Sequence, residues 1–215
     1  MKIVGKVSLK TLRAATGDAS VPIGSVVPNW EMFEVADILL HRDPRVAHGR
    51  YSVISHFQRL RGHKLDDASW SHVSMYVGGG FIVESMPSSG CFHSGVSANY
   101  LHKRARGQEI AILRTSLGEE LRFQIANYLL VSLLRSKRPP YGFGRLLRGT
   151  TNVKFRLLRN GIICSELVLE ALAIGGTILV NECVDSFSDD KLFLPAAFAS
   201  DKRFTHIEPE YFEIY

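Results

Sequence analysis

The stretch His72-Val73-Ser74-Met75-Tyr76-Val77-Gly78-Gly79-Gly80-Phe81-Ile82-Val83-Glu84 decides how this chain is read. The alternation from His72 to Val77 predicts a strand with Val73, Met75 and Val77 on one face and His72, Ser74 and Tyr76 on the other. The three glycines read as a turn, and Phe81 to Glu84 as the returning partner strand. If the loop has an odd number of residues, paired positions across the hairpin sum to an even number. His72 and Glu84 then share a face, directly opposite or one diagonal step apart; the opposite parity would separate them.

Upstream, Met1 to Pro28 is rich in Gly, Ser and Val, and residues 1–34 read as an N-terminal arm or strand before a single domain at 35–215. Val35-Ala36-Asp37-Ile38-Leu39-Leu40 reads as a short buried strand, and Tyr51 to Leu60 as a mixed helix or turn. Downstream, Gln108 to Arg114 is a strand candidate. Ser116 and Glu119 suggest a capping box for a helix with a core stripe of Leu121, Ile125, Leu129, Leu130, Leu133 and Leu134, ended by Pro139-Pro140. Ile163, Leu167, Ala171 and Ile174 recur at helical spacing after Gly161, and Gly175-Gly176 closes that helix. A hairpin region followed by two helices implies α+β, an antiparallel sheet packed against helices.

At 215 residues, 46% hydrophobic and 22% charged, the chain is long enough for one sizeable core. No apolar run reaches the ~18–20 residues of a membrane-spanning helix. The basic N-terminus lacks the h-region of a secretory signal, so the chain as encoded reads as cytoplasmic, with export by another route left open. The net charge is +5, and between Leu121 and Ser165 there is no Asp or Glu. The basic stretch 122–159 is a solvated face or a surface for an anionic partner such as lipid headgroups or a wall polymer. No nucleic-acid motif accompanies it, so specific nucleic-acid recognition is not expected.

Three cysteines, Cys91, Cys164 and Cys183, leave at least one free thiol. Cys164 stands at a helix start, where unpaired N–H groups and the macrodipole favour a thiolate. The same N–H groups can bind an oxyanion. Buried, inert cysteine is the competing reading. Cys91 and Cys183 have no such setting and are read as structural. Of eight histidines, His72 shares a face with a carboxylate that can fix its tautomer. His41, His48, His56, His63, His93, His102 and His206 lie in less regular polar stretches and read as surface residues. Cys91 with His93 lacks the second pair of a zinc site, and no metal is expected.

Taken together, Trp70-Ser71-His72-Val73-Ser74-Met75-Tyr76-Val77, Phe81-Ile82-Val83-Glu84-Ser85, Gly95-Val96 and Ile163-Cys164-Ser165-Glu166-Leu167-Val168 resemble the permuted NlpC/P60 cysteine hydrolases. The resemblance is to the YiiX/YebB-like branch, related to the lecithin-retinol acyltransferase type. It extends to the closing Phe193-Leu194-Pro195-Ala196-Ala197-Phe198-Ala199-Ser200 and the opening Val35-Ala36-Asp37-Ile38-Leu39. It implies a circularly permuted papain-like fold with His72, Glu84 and Cys164 as catalytic trio and no cofactor. Tyr141 and Ser165 are the implied substrate-side residues. Ala36 stands where the family has Gly, and Ser85 where a small Ala is common.

The expected activity is amide hydrolysis of a peptide or N-acyl substrate through a Cys164 thioester. The alternatives are a lipid acyl hydrolase or acyltransferase, and a non-catalytic binding module on the same fold. A basic membrane or nucleic-acid adaptor is a further reading from another class.

Overall fold

The hairpin forms, and it lies inside a larger sheet. A computed structural model of the protein describes residues 1–18, 20–42, 50–86, 95–134, 162–176 and 194–215. The first half of the chain holds β1 (Lys2–Val7), α1 (Leu9–Thr16), β2 (Val26–Pro28), a 3-10 turn (Trp30–Met32), β3 (Ile38–Arg42), α2 (Arg50–Leu60), α3 (Leu65–Ala68), β4 (His72–Gly78), β5 (Phe81–Met86) and β6 (Gly95–Tyr100). Then come α4 (Leu101–Ala105), β7 (Glu109–Arg114), α5 (Glu119–Leu134), α6 (Cys164–Ile174), α7 (Pro195–Ser200), β8 (Thr205–Ile207) and β9 (Glu210–Ile214).

The fold is mixed α+β. A six-stranded antiparallel sheet runs in the order β6-β5-β4-β3-β7-β8. A second, three-stranded sheet has the order β1-β9-β2, with β1 parallel and β2 antiparallel to β9. Residues 1–34 thus supply two strands of a sheet completed by the C-terminal strand.

The alternation of β4 sorts its residues as expected. Val73 and Met75 pack with Val83, with Ile125 and Leu129 of α5, and with Leu167 and Val168 of α6. Tyr76 lies on the other face with Leu39, Ile82 and Ile112, covered by Phe33, Leu101 and Ala105. Fully burying each aliphatic side chain contributes about 1.5–3 kcal/mol, so helix packing on one face holds the sheet in register. The turn needs its glycines: Gly78, Gly79 and Gly80 have φ of 98, 59 and 80°. A Cβ on Gly80 would lie 2.8 Å from Thr16 Cβ, so α1 is seated directly on the turn.

Three expectations are corrected. Val35 to Asp37 form a turn rather than strand, and β3 starts at Ile38. The reason is Ala36, whose φ of 67° is left-handed, the conformation that glycine adopts freely. Next, α5 begins at Glu119, so Ser116 and Glu119 do not form a capping box. Its buried stripe is Ile125, Ala126, Leu129 and Ser132, whereas Leu121, Leu130 and Leu134 are exposed. Finally, His41 and His102 are core residues, each 1% exposed.

Gly161, Pro139-Pro140, Tyr141, Cys91, Cys183, His48, His93 and most of the basic stretch lie outside the described residues. Arg122, at the start of that stretch, is committed to structure. It donates to the carbonyls of Leu117 and Thr115 at 2.8 and 2.9 Å and pairs with Glu34. Among the described residues, no helix is long and apolar enough to cross a membrane.

Candidate active site

His72 opens β4, so it stands at an end of the sheet. The register Met75↔Val83 and Tyr76↔Ile82, carried back, sets Ser74 opposite Glu84 and His72 one diagonal step away. The two side chains therefore meet: His72 Nε2–H donates to Glu84 Oε2 at 2.6 Å. Glu84 accepts two further bonds, from Asn99 Nδ2 to Oε1 at 2.8 Å and from Arg104 Nε to Oε2 at 3.1 Å. Asn99 comes from β6 and Arg104 from α4, so three elements converge on one buried carboxylate. Burial alone would raise its pKa. The hydrogen bond and charge of His72, with the charges of Arg104 and His41, prevail and hold Glu84 down to about 2.

Cys164 is the first residue of α6. The residue before it, Ile163, has no side-chain acceptor to cap the first turn. Instead Glu166 reaches back and accepts the Ile163 N–H at 3.0 Å. Ser85, next to Glu84 on β5, donates its hydroxyl to the Ile162 carbonyl at 2.6 Å. Neighbouring residues of one strand thus hold the histidine and anchor the segment that leads into the cysteine.

Cys164 and His72 are each 2% exposed. Burial opposes a charge on His72, but the charge and hydrogen bond of Cys164, then those of Glu84, outweigh it and raise the imidazole pKa. With Nε2 engaged by Glu84, Nδ1 is the nitrogen left for the thiol. A thiol, an imidazole and a carboxylate in sequence can ionise the thiol, shuttle its proton and balance the imidazolium.

The approach to His72 is braced by Gln58. It donates to the carbonyls of Ala68 and Trp70 at 3.0 and 2.7 Å and accepts from Ala196 N–H at 2.8 Å. Ser165 is fully buried, and its Oγ has no hydrogen-bond partner among the described residues. Among those residues, no group of three or more His, Cys, Asp or Glu is placed to hold a metal ion.

Sequence reasoning missed Asn99, Arg104, Gln58 and His41. Asn99 and Arg104 have no spacing relation to the trio; only the β5–β6 pairing, with Ile82 opposite Asn99, brings that segment alongside. His41 had a usable signal: it lies two residues beyond Leu39 on a strand, and so on the same face. Comparison with protein-family models, with curated proteins and with solved structures gives no match, so the reading of this site rests on its residues and their geometry.

Proposed function

We propose that the protein is a cysteine hydrolase that cleaves an amide bond in a peptide or N-acyl substrate through a thioester on Cys164. The fold in this reading is the permuted papain-like one of the NlpC/P60 type, YiiX/YebB-like branch, in which His precedes Cys along the chain. The observation that carries it is the buried chain of groups: Cys164 against His72, and His72 on Glu84 at 2.6 Å.

His72 takes the thiol proton, and the thiolate attacks the carbonyl carbon as the carbonyl electrons move to oxygen. First-turn N–H groups of α6, Cys164 included, are the donors for that oxyanion. When the C–N bond breaks, His72 gives its proton to the departing amine. Water then attacks the thioester, His72 takes the water proton, and the C–S bond breaks to release the acid and restore Cys164. Glu84 stays ionised throughout and balances the imidazolium.

Incubation with a panel of muropeptides, N-acyl amino acids and phospholipids, quenched in acid, tests this by mass spectrometry. The expected result is an acyl adduct on the Cys164 peptide from an amide substrate, absent in Cys164→Ala. An adduct from phospholipids alone would move the substrate to the lipid class. Absence of any adduct, with iodoacetamide at about pH 6–7 alkylating Cys91 or Cys183 ahead of Cys164, would overturn the reading.

A further inference from the structure

His41 lies on β3 directly opposite His72 on β4, and the two ring centroids are 5.4 Å apart at an interplanar angle of 42°. The mechanism above does not use it, yet every polar atom of its ring is engaged. Nε2 lies 2.7 Å from Ser74 Oγ. In the amide orientation that gives each donor an acceptor, the Gln108 nitrogen donates to His41 Nδ1 and to the Arg104 carbonyl, both at 3.2 Å, while its oxygen accepts from Arg104 Nη1 at 3.0 Å. Arg104 in turn donates to Glu84.

His72, Glu84, Arg104, Gln108 and His41 therefore form a ring of contacts that closes on itself. An imidazole that accepts at Nδ1 carries its one proton on Nε2, where it donates to Ser74. The charged groups facing His41 are His72 on β4, Glu84 on β5 and Arg104 on α4; β7 sets only Ile110 opposite it. Burial, then the positive charges of His72 and Arg104, push its pKa well below that of an ordinary histidine. A charged His41 would repel the imidazolium on which thiol ionisation depends.

We infer that His41 is a positioning residue for the Cys164–His72 pair: uncharged, it braces the His72 ring and, through Gln108, keeps Arg104 on Glu84. The inference rests on the proposed thiol–imidazole reading of the site. It is tested without a substrate, by the rate of Cys164 alkylation with iodoacetamide as a function of pH, read by peptide mass spectrometry alongside the melting temperature. Wild type is compared with His41→Phe, which keeps a ring, and with Gln108→Leu, which cuts only the bridge and serves if the first fails to fold.

In both variants the acid limb of the profile moves up by about one pH unit, so the rate near pH 6 falls ~10-fold. Near pH ~9.5, where the thiol ionises unaided, rates match wild type. A residue that only fills space would change the melting temperature and leave the shape of the profile alone. Profiles identical to wild type, or rates lowered equally at every pH, overturn the inference by itself. A wild-type profile with one rise near the ordinary thiol value of ~8.5 overturns the thiol–imidazole reading, and this inference with it.

Discussion

Asp37 and Glu84 are both 1% exposed and both bonded to an arginine, yet they do different things. Asp37 takes the Arg114 fork on both oxygens, at 2.9 and 2.7 Å, and the Glu34 N–H at 2.8 Å. All of these donors keep their protons at any pH the fold survives. The same arginine donates to the Met32 carbonyl, so the cluster ties the turn before β3 to the end of β7. Glu84 divides itself among Arg104, Asn99 and His72, and the last of these titrates and leans on a thiol. Burial and an arginine are common to both carboxylates. A donor that can lose its proton separates them.

The sharpest break of the comparison is at the far end of the Glu84 chain. Cys164→Ala should abolish turnover, and His72→Ala should lower it by about 10²–10⁴-fold, the range for a lost general base. Steady-state rates on a substrate found by the adduct screen check this, and a His72→Ala enzyme at wild-type speed would remove His72 from the mechanism. For Asp37, the expected loss is of stability. Asp37→Asn should cost about 1–3 kcal/mol in urea unfolding, because Arg114 then keeps only the half-exposed Glu34 as counter-charge. Cys164 alkylation in the folded variant should be unchanged; a slowed thiol would mean that the two carboxylates are one system.

Acid should distinguish Glu84 directly. Its folded pKa is depressed from 4.5 to about 2, so its stabilisation is complete above its unfolded value and is lost as pH falls between the two. The loss is on the order of 3 kcal/mol. His72 runs the other way: with a raised folded pKa, its contribution is whole below the ordinary histidine value and fades as pH rises through the raised one. Urea titrations across pH should show an acid slope in wild type that flattens in Glu84→Gln; equal slopes would place the linkage elsewhere.

Glu84→Gln should also keep a measurable turnover, reduced about 10–100-fold. An amide oxygen still accepts the imidazole N–H but cannot balance its charge. Wild-type rates in that variant would deny Glu84 its role. The smallest expected effect lies beside Asp37. Ala36→Gly relieves a left-handed strain of about 1–2 kcal/mol but loses a buried methyl and adds unfolded-state freedom, so stability should move by less than about 1 kcal/mol. A larger change in either direction would show that the balance at this turn has been misjudged.

Much of the Glu84 side of this comparison was legible in the sequence, and little of what supports it was. Strand alternation is local, and hairpin parity left two options for His72 and Glu84, on one face or apart; the register of β4 on β5 realises the first. Cys164 was legible from the helical spacing that follows it. By contrast, Asn99 and Arg104 reach Glu84 only because β6 pairs with β5 and α4 follows at once. His41 was misread because β3 is buried on both faces, with Ile38, Leu39, Leu40 and His41 all in the interior. Such a strand shows no alternation, and a histidine at its end looks like the first residue of a loop. The left-handed Ala36 was hidden for a different reason. Alanine carries no mark of positive φ, and only a glycine there would have announced the turn.

The three-stranded sheet imposes an order in time. Its central strand, β9, hydrogen-bonds to β1 on one side and β2 on the other. β9 lies at the C-terminal end of this chain, and the strands that need it at the other. During synthesis from the N-terminus, Lys2 to Val7 are made first, and their partner Glu210–Ile214 follows some two hundred residues later. The six-stranded sheet can pair in the meantime up to β7, since β3 to β7 are made before α5 and α6. Closing β1 onto β9 is thus among the longest-range contacts of the molecule and one of the last to become available. Until then the backbone groups of Lys2–Val7 have no β9 strand to pair with.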